Sequence, residues 1–288
     1  MSRASDLIRI EFKRSDDIRD AGLTTPEDIV RHDDIVYGDD PKWQSLDVYR
    51  PRAAEGKKLP VIVSVHGGGW VYGDKERYQF YCMNLAQRGF AVVNFSYRLA
   101  PESKYPAPLE DANAVFGWVL EHAEEYGFDR EHIFAVGDSA GAHLLGLYCG
   151  ICTNPEYAKA YAFDAPEGFA PAAIALNCGA YVLAPERDAL MREFLPGKDP
   201  EREYALIDVP SHVTPNFPPT FLMTSNGDFL KAQAPILAAK LMEQGVPFVY
   251  RFYGDRAHEL GHVFHCNIRT EDARLCNDEE CDFFKRFL

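Results

Sequence analysis

HIFAVGDSAGAHLLGLYCGI, residues 132–151, is the stretch whose reading decides the fold. Its opening HIFAV is a near-continuous apolar run, as expected of a strand buried on both faces. Its closing AHLLGLYCGI is apolar over a length that suits a helix rather than a strand. Between them stands GDSAG, Gly137 to Gly141. A serine on so tight a strand-to-helix turn is held in a strained conformation with its oxygen exposed, and glycines two residues to either side avoid collisions with the turn. The N–H of Ala140 then opens the helix, where the dipole favours an anion.

The same rhythm extends in both directions. LPVIVSV (59–65), FAVVNFSY (90–97), AAIAL (172–176), PTFLMTS (219–225) and PFVYRFY (247–253) read as further buried strands. Amphipathic segments lie between them. In residues 107–128, Leu109, Ala112, Val115, Phe116, Val119, Leu120 and Ala123 recur at three- and four-residue steps. Strands alternating with helices predict a doubly wound, mainly parallel α/β sheet. IVYGDDPKWQSLDVYRP (35–51) reads as an antiparallel hairpin at its edge. Residues 181–217 break the rhythm with prolines and charges, and are expected to pass over the carboxyl ends of the strands, where ligands bind in open α/β sheets. We expect one domain, 1–288, with cap elements from 1–34 and 181–217.

Directly after LPVIVSV comes HGGGW, His66 to Trp70. Consecutive glycines let backbone N–H groups approach a substrate oxygen unhindered. Such donors, aimed at a tetrahedral oxyanion, are worth roughly 3–4 kcal/mol each. His66 belongs to this loop and is read as its anchor rather than as a catalytic base. Both motifs arising by accident in one chain has odds on the order of one in several thousand.

The bulk numbers narrow the class. At 288 residues and 47% hydrophobic, the chain can bury a full core. Its net charge of −14 argues against nucleic acid or an anionic membrane as partner, since both need a basic face. The N-terminal sequence lacks a signal-peptide run, and no segment approaches the roughly 18 apolar residues of a membrane span. Seven scattered cysteines suggest a reducing, cytoplasmic setting. Cys149 and Cys152 form a C-x-x-C inside the apolar helix, where packing is the expected role.

HGGGW, then SYRLAPESKYPAPLEDA (96–112), then GDSAG resemble the α/β-hydrolase fold, specifically the carboxylesterases related to hormone-sensitive lipase. The resemblance covers most of residues 35–288. It implies a serine esterase acting through an acyl-enzyme, with Gly68, Gly69 and Ala140 donating to the oxyanion and a triad in the order Ser, acid, His. Ser139 is the nucleophile in that scheme. PPTFLMTSNGD ends in Asp228, at the foot of a late strand-like run, which makes it the expected acid. Asp138 beside the nucleophile is expected to point elsewhere, and Asp111 to brace the loops around the site.

The base lies within RAHELGHVFH (256–265). The family places its histidine in an H-x-F context, commonly H-G-F, which favours His262, with valine in the middle. His258 is the alternative, and His265 is expected on the following helical turn. The same residues spell H-E-x-x-H, the zinc-peptidase signature. Gly254 just before it leaves little room for the long ligand-bearing helix, and a zinc site would leave HGGGW and GDSAG unexplained. We read HELGH as a coincidence.

The expected function is hydrolysis of short-chain acyl esters of small molecules, with no metal or cofactor implied. An amidase or peptidase on the same triad, or a non-catalytic binding protein on the same fold, are the alternatives. Tyr181, Phe194, Tyr204 and Phe217 are candidates either to shorten the acyl pocket or simply to pack in the cap.

Overall fold

The computed structural model describes residues 3–183 and 189–288. Eight strands form one sheet in the order β1-β2-β4-β3-β5-β6-β7-β8. They are β1 (Ile29–Val36), β2 (Ser45–Pro51), β3 (Leu59–Val65), β4 (Ala91–Phe95), β5 (Phe128–Asp138), β6 (Ile174–Asn177), β7 (Thr220–Ser225) and β8 (Phe248–Tyr253). From β4 through β8 all neighbours pair in parallel, while β2 is antiparallel to both β1 and β4. Helices cover both faces: α2 (Lys75–Ala86) and α11 (Glu271–Phe284) on one, α3 (Ala107–Glu121), α5 (Ala140–Thr153) and α10 (Ala234–Glu243) on the other. Residues β3 and β5 turn to the two sides separate accordingly. Val61, Val63 and Val65 enter one apolar cluster, whereas Ile62, Phe134 and Val136 enter the other. The expected doubly wound, mainly parallel sheet is therefore the fold observed.

The edge hairpin starts earlier than its sequence suggests. β1 begins at Ile29 and pairs with β2 from Ile29↔Pro51 to Val36↔Ser45, with a register shift between His32 and Ile35. Its RHDD segment, exposed from His32 to Asp34, carries no apolar alternation, so the strand is hidden until Ile35. Upstream, α1 (Arg3–Asp20) lies on the loops above the sheet. Arg9 donates to the Val71 and Ala100 carbonyls and pairs with Glu102 at 2.7 Å, while Phe12 meets Tyr72 edge-on.

Among its described residues, the segment after β6 holds three short helices, α7 (Ala189–Phe194), α8 (Pro200–Leu206) and α9 (Val209–His212). Residues 184–188 of this expected excursion lie outside the described residues. No helix among the described residues is long and apolar enough to cross a membrane. Cys149 and Cys152 pack within α5, and burial pushes both thiols up, Cys152 to about 12, which suits packing rather than redox chemistry.

Candidate active site

Ser139 stands between the last residue of β5 and the first of α5 at φ 52°, a conformation that is costly for a residue with a side chain. Its N–H donates to the Asn177 carbonyl of β6 at 2.9 Å, which fixes the turn to the neighbouring strand. The flanking glycines are required by space. A Cβ on Gly141 would lie 2.0 Å from the Val65 carbonyl oxygen, and one on Gly137 2.6 Å from that of Gly141.

The HGGGW loop leaves the carboxyl end of β3 beside this turn. Gly68 has φ 117°, and a Cβ there would sit 2.1 Å from the Tyr72 carbonyl oxygen, so only glycine fits. His66 is fully buried, stacks on Tyr97 at 4.0 Å and lies 2.7 Å through Nδ1 from its neighbour's carbonyl, Gly67 O. Burial lowers its pKa to about 4. Trp70 ties the loop to its surroundings. Its Nε1–H donates to His143 Nδ1 at 3.2 Å, and His143 Nε2 reaches the Ile207 carbonyl at 2.9 Å.

Asp228 follows β7, and His262 follows β8 on the loop that contains HELGH. His262 Nδ1 lies 2.7 Å from Asp228 Oδ1, and His262 Nε2 lies 2.9 Å from Ser139 Oγ. The structure thus brings Ser139, His262 and Asp228 into one hydrogen-bonded chain. Burial works to raise the Asp228 pKa, but the His262 contact, the Leu230 N–H and the Thr224 hydroxyl outweigh it and hold the carboxyl below its usual range. The loop that carries His262 is laced to the end of β7, the strand that leads to Asp228. Ser225 Oγ donates to Leu260 O at 2.8 Å, Gly227 N–H to the same carbonyl at 2.9 Å, and Asn226 Oδ1 accepts from Leu260 N–H. Val263, where the family commonly has glycine, stands at φ 51°.

The other histidines and carboxylates go elsewhere. HELGH is loop, not helix. His258 turns to Asp272 of α11 at 2.8 Å, away from His262. Among the described residues two triplets bring metal-ligating atoms within 4.8 Å of one another, Asp138–His265–Cys266 and Cys178–Asp228–His262, and neither contains His258 or Glu259. His265 is buried in a short 3-10 turn, with its pKa lowered by burial to about 3. Asp111 accepts from Arg98 and Gln44. Asp138 accepts from the Tyr78 hydroxyl.

A cleft of about 240 Å³ opens over Ser139 and His262, walled by Phe12, Asp16 and Arg19 of α1, by Gly67, Gly68 and Tyr72, and by Phe229. The aromatic residues expected from the excursion do not line it. Tyr181, Phe194 and Phe217 are buried in the core, and Tyr204 packs partly buried against it. Within residues 1–34, expected to contribute cap elements, α1 supplies this wall, held in part by the 2.9 Å bond from Tyr72 to Asp16.

Residues 62–262 match the model of a family described by its alpha/beta hydrolase fold. Esterase LipC of Mycobacterium tuberculosis is 33% identical over 135 residues, which are 46% of this chain and 32% of that one. Versiconal hemiacetal acetate esterase of Dothistroma septosporum is 28% identical over 230 residues, 73% of this chain and 69% of that one. The chain thus spans between a third and about two thirds of these two relatives. Among solved structures, inhibited esterase B from Lactobacillus rhamnosis superposes with a TM-score of 0.87 at 26% identity, covering 96% of this chain and 93% of that chain. Motifs, sheet order and these likenesses agree: the chain belongs to the α/β-hydrolase fold family, and its relatives there are carboxylic ester hydrolases.

Proposed function

We propose that this protein hydrolyses carboxylic esters of small molecules through an acyl-enzyme, with Ser139 as nucleophile, His262 as base and Asp228 as its orienting acid. The observation that carries the reading is the chain of contacts at 2.9 and 2.7 Å from Ser139 Oγ through His262 to Asp228. Ser139 Oγ attacks the ester carbonyl carbon as its proton passes to His262 Nε2, and the carbonyl π electrons move onto oxygen. Gly68, Gly69 and Ala140 N–H groups hold that oxyanion. Collapse expels the alkoxide, which takes the proton from His262, and water then repeats the sequence to release the acid. Asp228 stays ionised, accepts from Nδ1–H and stabilises the imidazolium.

In this reading α1 and the segment holding α7, α8 and α9 form the cap, and the cleft's small volume, closed by Phe12, Tyr72 and Phe229, favours short acyl groups of roughly two to six carbons. The seven free cysteines support a reducing, cytoplasmic setting. The test is turnover of p-nitrophenyl esters from acetate to palmitate, with and without a chelator. Short esters should dominate and the chelator should have no effect. A preference for palmitate would replace short-ester hydrolysis with lipase activity.

A further inference from the structure

One phenol joins the two halves of the site. Tyr78, in the first turn of α2, is 6% exposed, and its hydroxyl donates to Asp138 Oδ2 at 2.7 Å while accepting from Gly67 N–H at 2.9 Å. Asp138 is the residue before the nucleophile, and Gly67 the residue before the two glycines assigned to the oxyanion. A hydroxyl has one proton to give and lone pairs to receive, so both bonds form at once. The contact is tight. A Cβ on Gly67 would lie 2.7 Å from Asp138 Oδ2 and 2.9 Å from the Tyr78 oxygen. The N–H of Gly67 is thereby spent on Tyr78 and unavailable to substrate, which separates its task from that of Gly68 and Gly69. Burial raises the Asp138 pKa to about 6, while the Tyr78 bond and the charge of His262 pull the other way and favour its ionised, accepting form.

We propose that Tyr78 is a positioning residue for the oxyanion loop: held by Asp138, its hydroxyl pins the Gly67 peptide so that Gly68 and Gly69 stay aimed at the oxygen above Ser139. This rests on the ester-hydrolase reading above. Donors that drift from the oxyanion lose strength when charge develops, so the loss belongs to the transition state rather than to substrate binding.

The test is Tyr78→Phe, which removes one oxygen, measured on p-nitrophenyl butyrate beside Tyr37→Phe. Tyr37 also donates from a part-buried hydroxyl, to the Ser96 carbonyl at 2.6 Å, and does not line the cleft. Tyr78→Phe should lose about 10–100-fold in kcat, the scale of weakening one or two oxyanion donors, with KM within about threefold. Affinity for a trifluoromethyl ketone, whose serine adduct carries an oxyanion, should fall in step, while affinity for butyrate stays constant. Tyr37→Phe should keep its kcat. Equal kcat loss in both variants, or a loss confined to KM, would overturn the proposal. If Tyr78→Phe does not fold, Asp138→Ala, which removes the acceptor that holds the hydroxyl, carries the same comparison. Unchanged kcat in Tyr78→Phe sinks this inference alone, provided Ser139→Ala is inactive; an active Ser139→Ala sinks the reading beneath it.

Discussion

His262 Nε2 stands 2.9 Å from Ser139 Oγ across 123 residues of chain, and the approach depends on two loops rather than on any local motif. The serine is offered by a strained turn, the histidine by a loop sewn to the end of β7.

Replacing Ser139 with alanine should therefore remove the chemistry and little else. The expected loss of kcat is about 10⁴-fold or more, as for nucleophile deletions in other serine hydrolases. Circular dichroism and the melting temperature should stay near wild type. A variant that retains a tenth of the activity would show that Ser139 is not the nucleophile.

The two histidines of HELGH should behave unequally. His262→Ala should be nearly inactive, because among the described residues no other side chain is hydrogen-bonded to both Ser139 and Asp228. His258→Ala gives up only its exposed pairing with Asp272 and should keep most of its activity. Collapse of His258→Ala alone would move the base four residues upstream.

Metal removal gives an independent contrast. Prolonged dialysis against a chelator should leave ester hydrolysis unchanged, and Glu259→Gln should be mild. Joint loss in Glu259→Gln, His258→Ala and His262→Ala, with zinc restoring a chelated sample, would instead establish a metallopeptidase.

Glu280 of α11 makes stability depend on pH. It is fully buried, accepts from Asn177 Nδ2 at 2.5 Å and Tyr81 OH at 3.1 Å, and burial raises its pKa to about 7. The folded protein thus holds this proton more tightly than the unfolded chain. The stabilisation is fully present below the ordinary glutamate range and is lost as pH rises through about 7. Glu280→Gln, which mimics the protonated form, should gain on wild type by up to roughly 3 kcal/mol between pH 5 and 8. Urea unfolding across that range checks it, and a pH-independent difference would refute it.

Val263→Gly should cost unusually little. A β-branched residue at φ 51° stores on the order of 1–3 kcal/mol of strain, which glycine releases while losing side-chain contacts and backbone entropy. We expect a net change within about 1 kcal/mol. A loss above about 3 kcal/mol would mean the packing of Val263 outweighs the strain.

The sheet and the tight turn at Ser139 are legible because their signals are local. Continuous apolar runs such as LPVIVSV and glycines at fixed offsets follow from burial and close approach within a few residues. The start of β1 is not, because an exposed edge strand needs no apolar alternation. Cap elements are expected from residues 1–34, but which side chains of α1 meet the loops is not readable from local pattern. Much of the helix's hold on the molecule is polar, through Arg9 to the Val71 carbonyl, Asp16 to the Tyr72 hydroxyl and Arg19 to the Arg77 carbonyl, and only the fold reveals which groups those side chains meet. Tyr78 left no trace at all, since no spacing links positions 67, 78 and 138 before the sheet is assembled. HELGH shows the converse: a pattern with the right letters whose backbone is loop, so its two histidines face different partners.

β6, four residues long, lies between the strand that presents Ser139 and the strand that leads to Asp228, in register from Ala135↔Ile174 on one side and Ile174↔Thr220 on the other. The span between Ser139 and Asp228 is consequently a matter of two interstrand steps, each about 4.8 Å. The segment from 178 to 219 leaves and rejoins the sheet outside that span. The sheet therefore sets the spacing of Ser139 and Asp228, whereas the segment bears on the HGGGW loop, through Phe194 stacked on Trp70 and the Ile207 carbonyl beside His143.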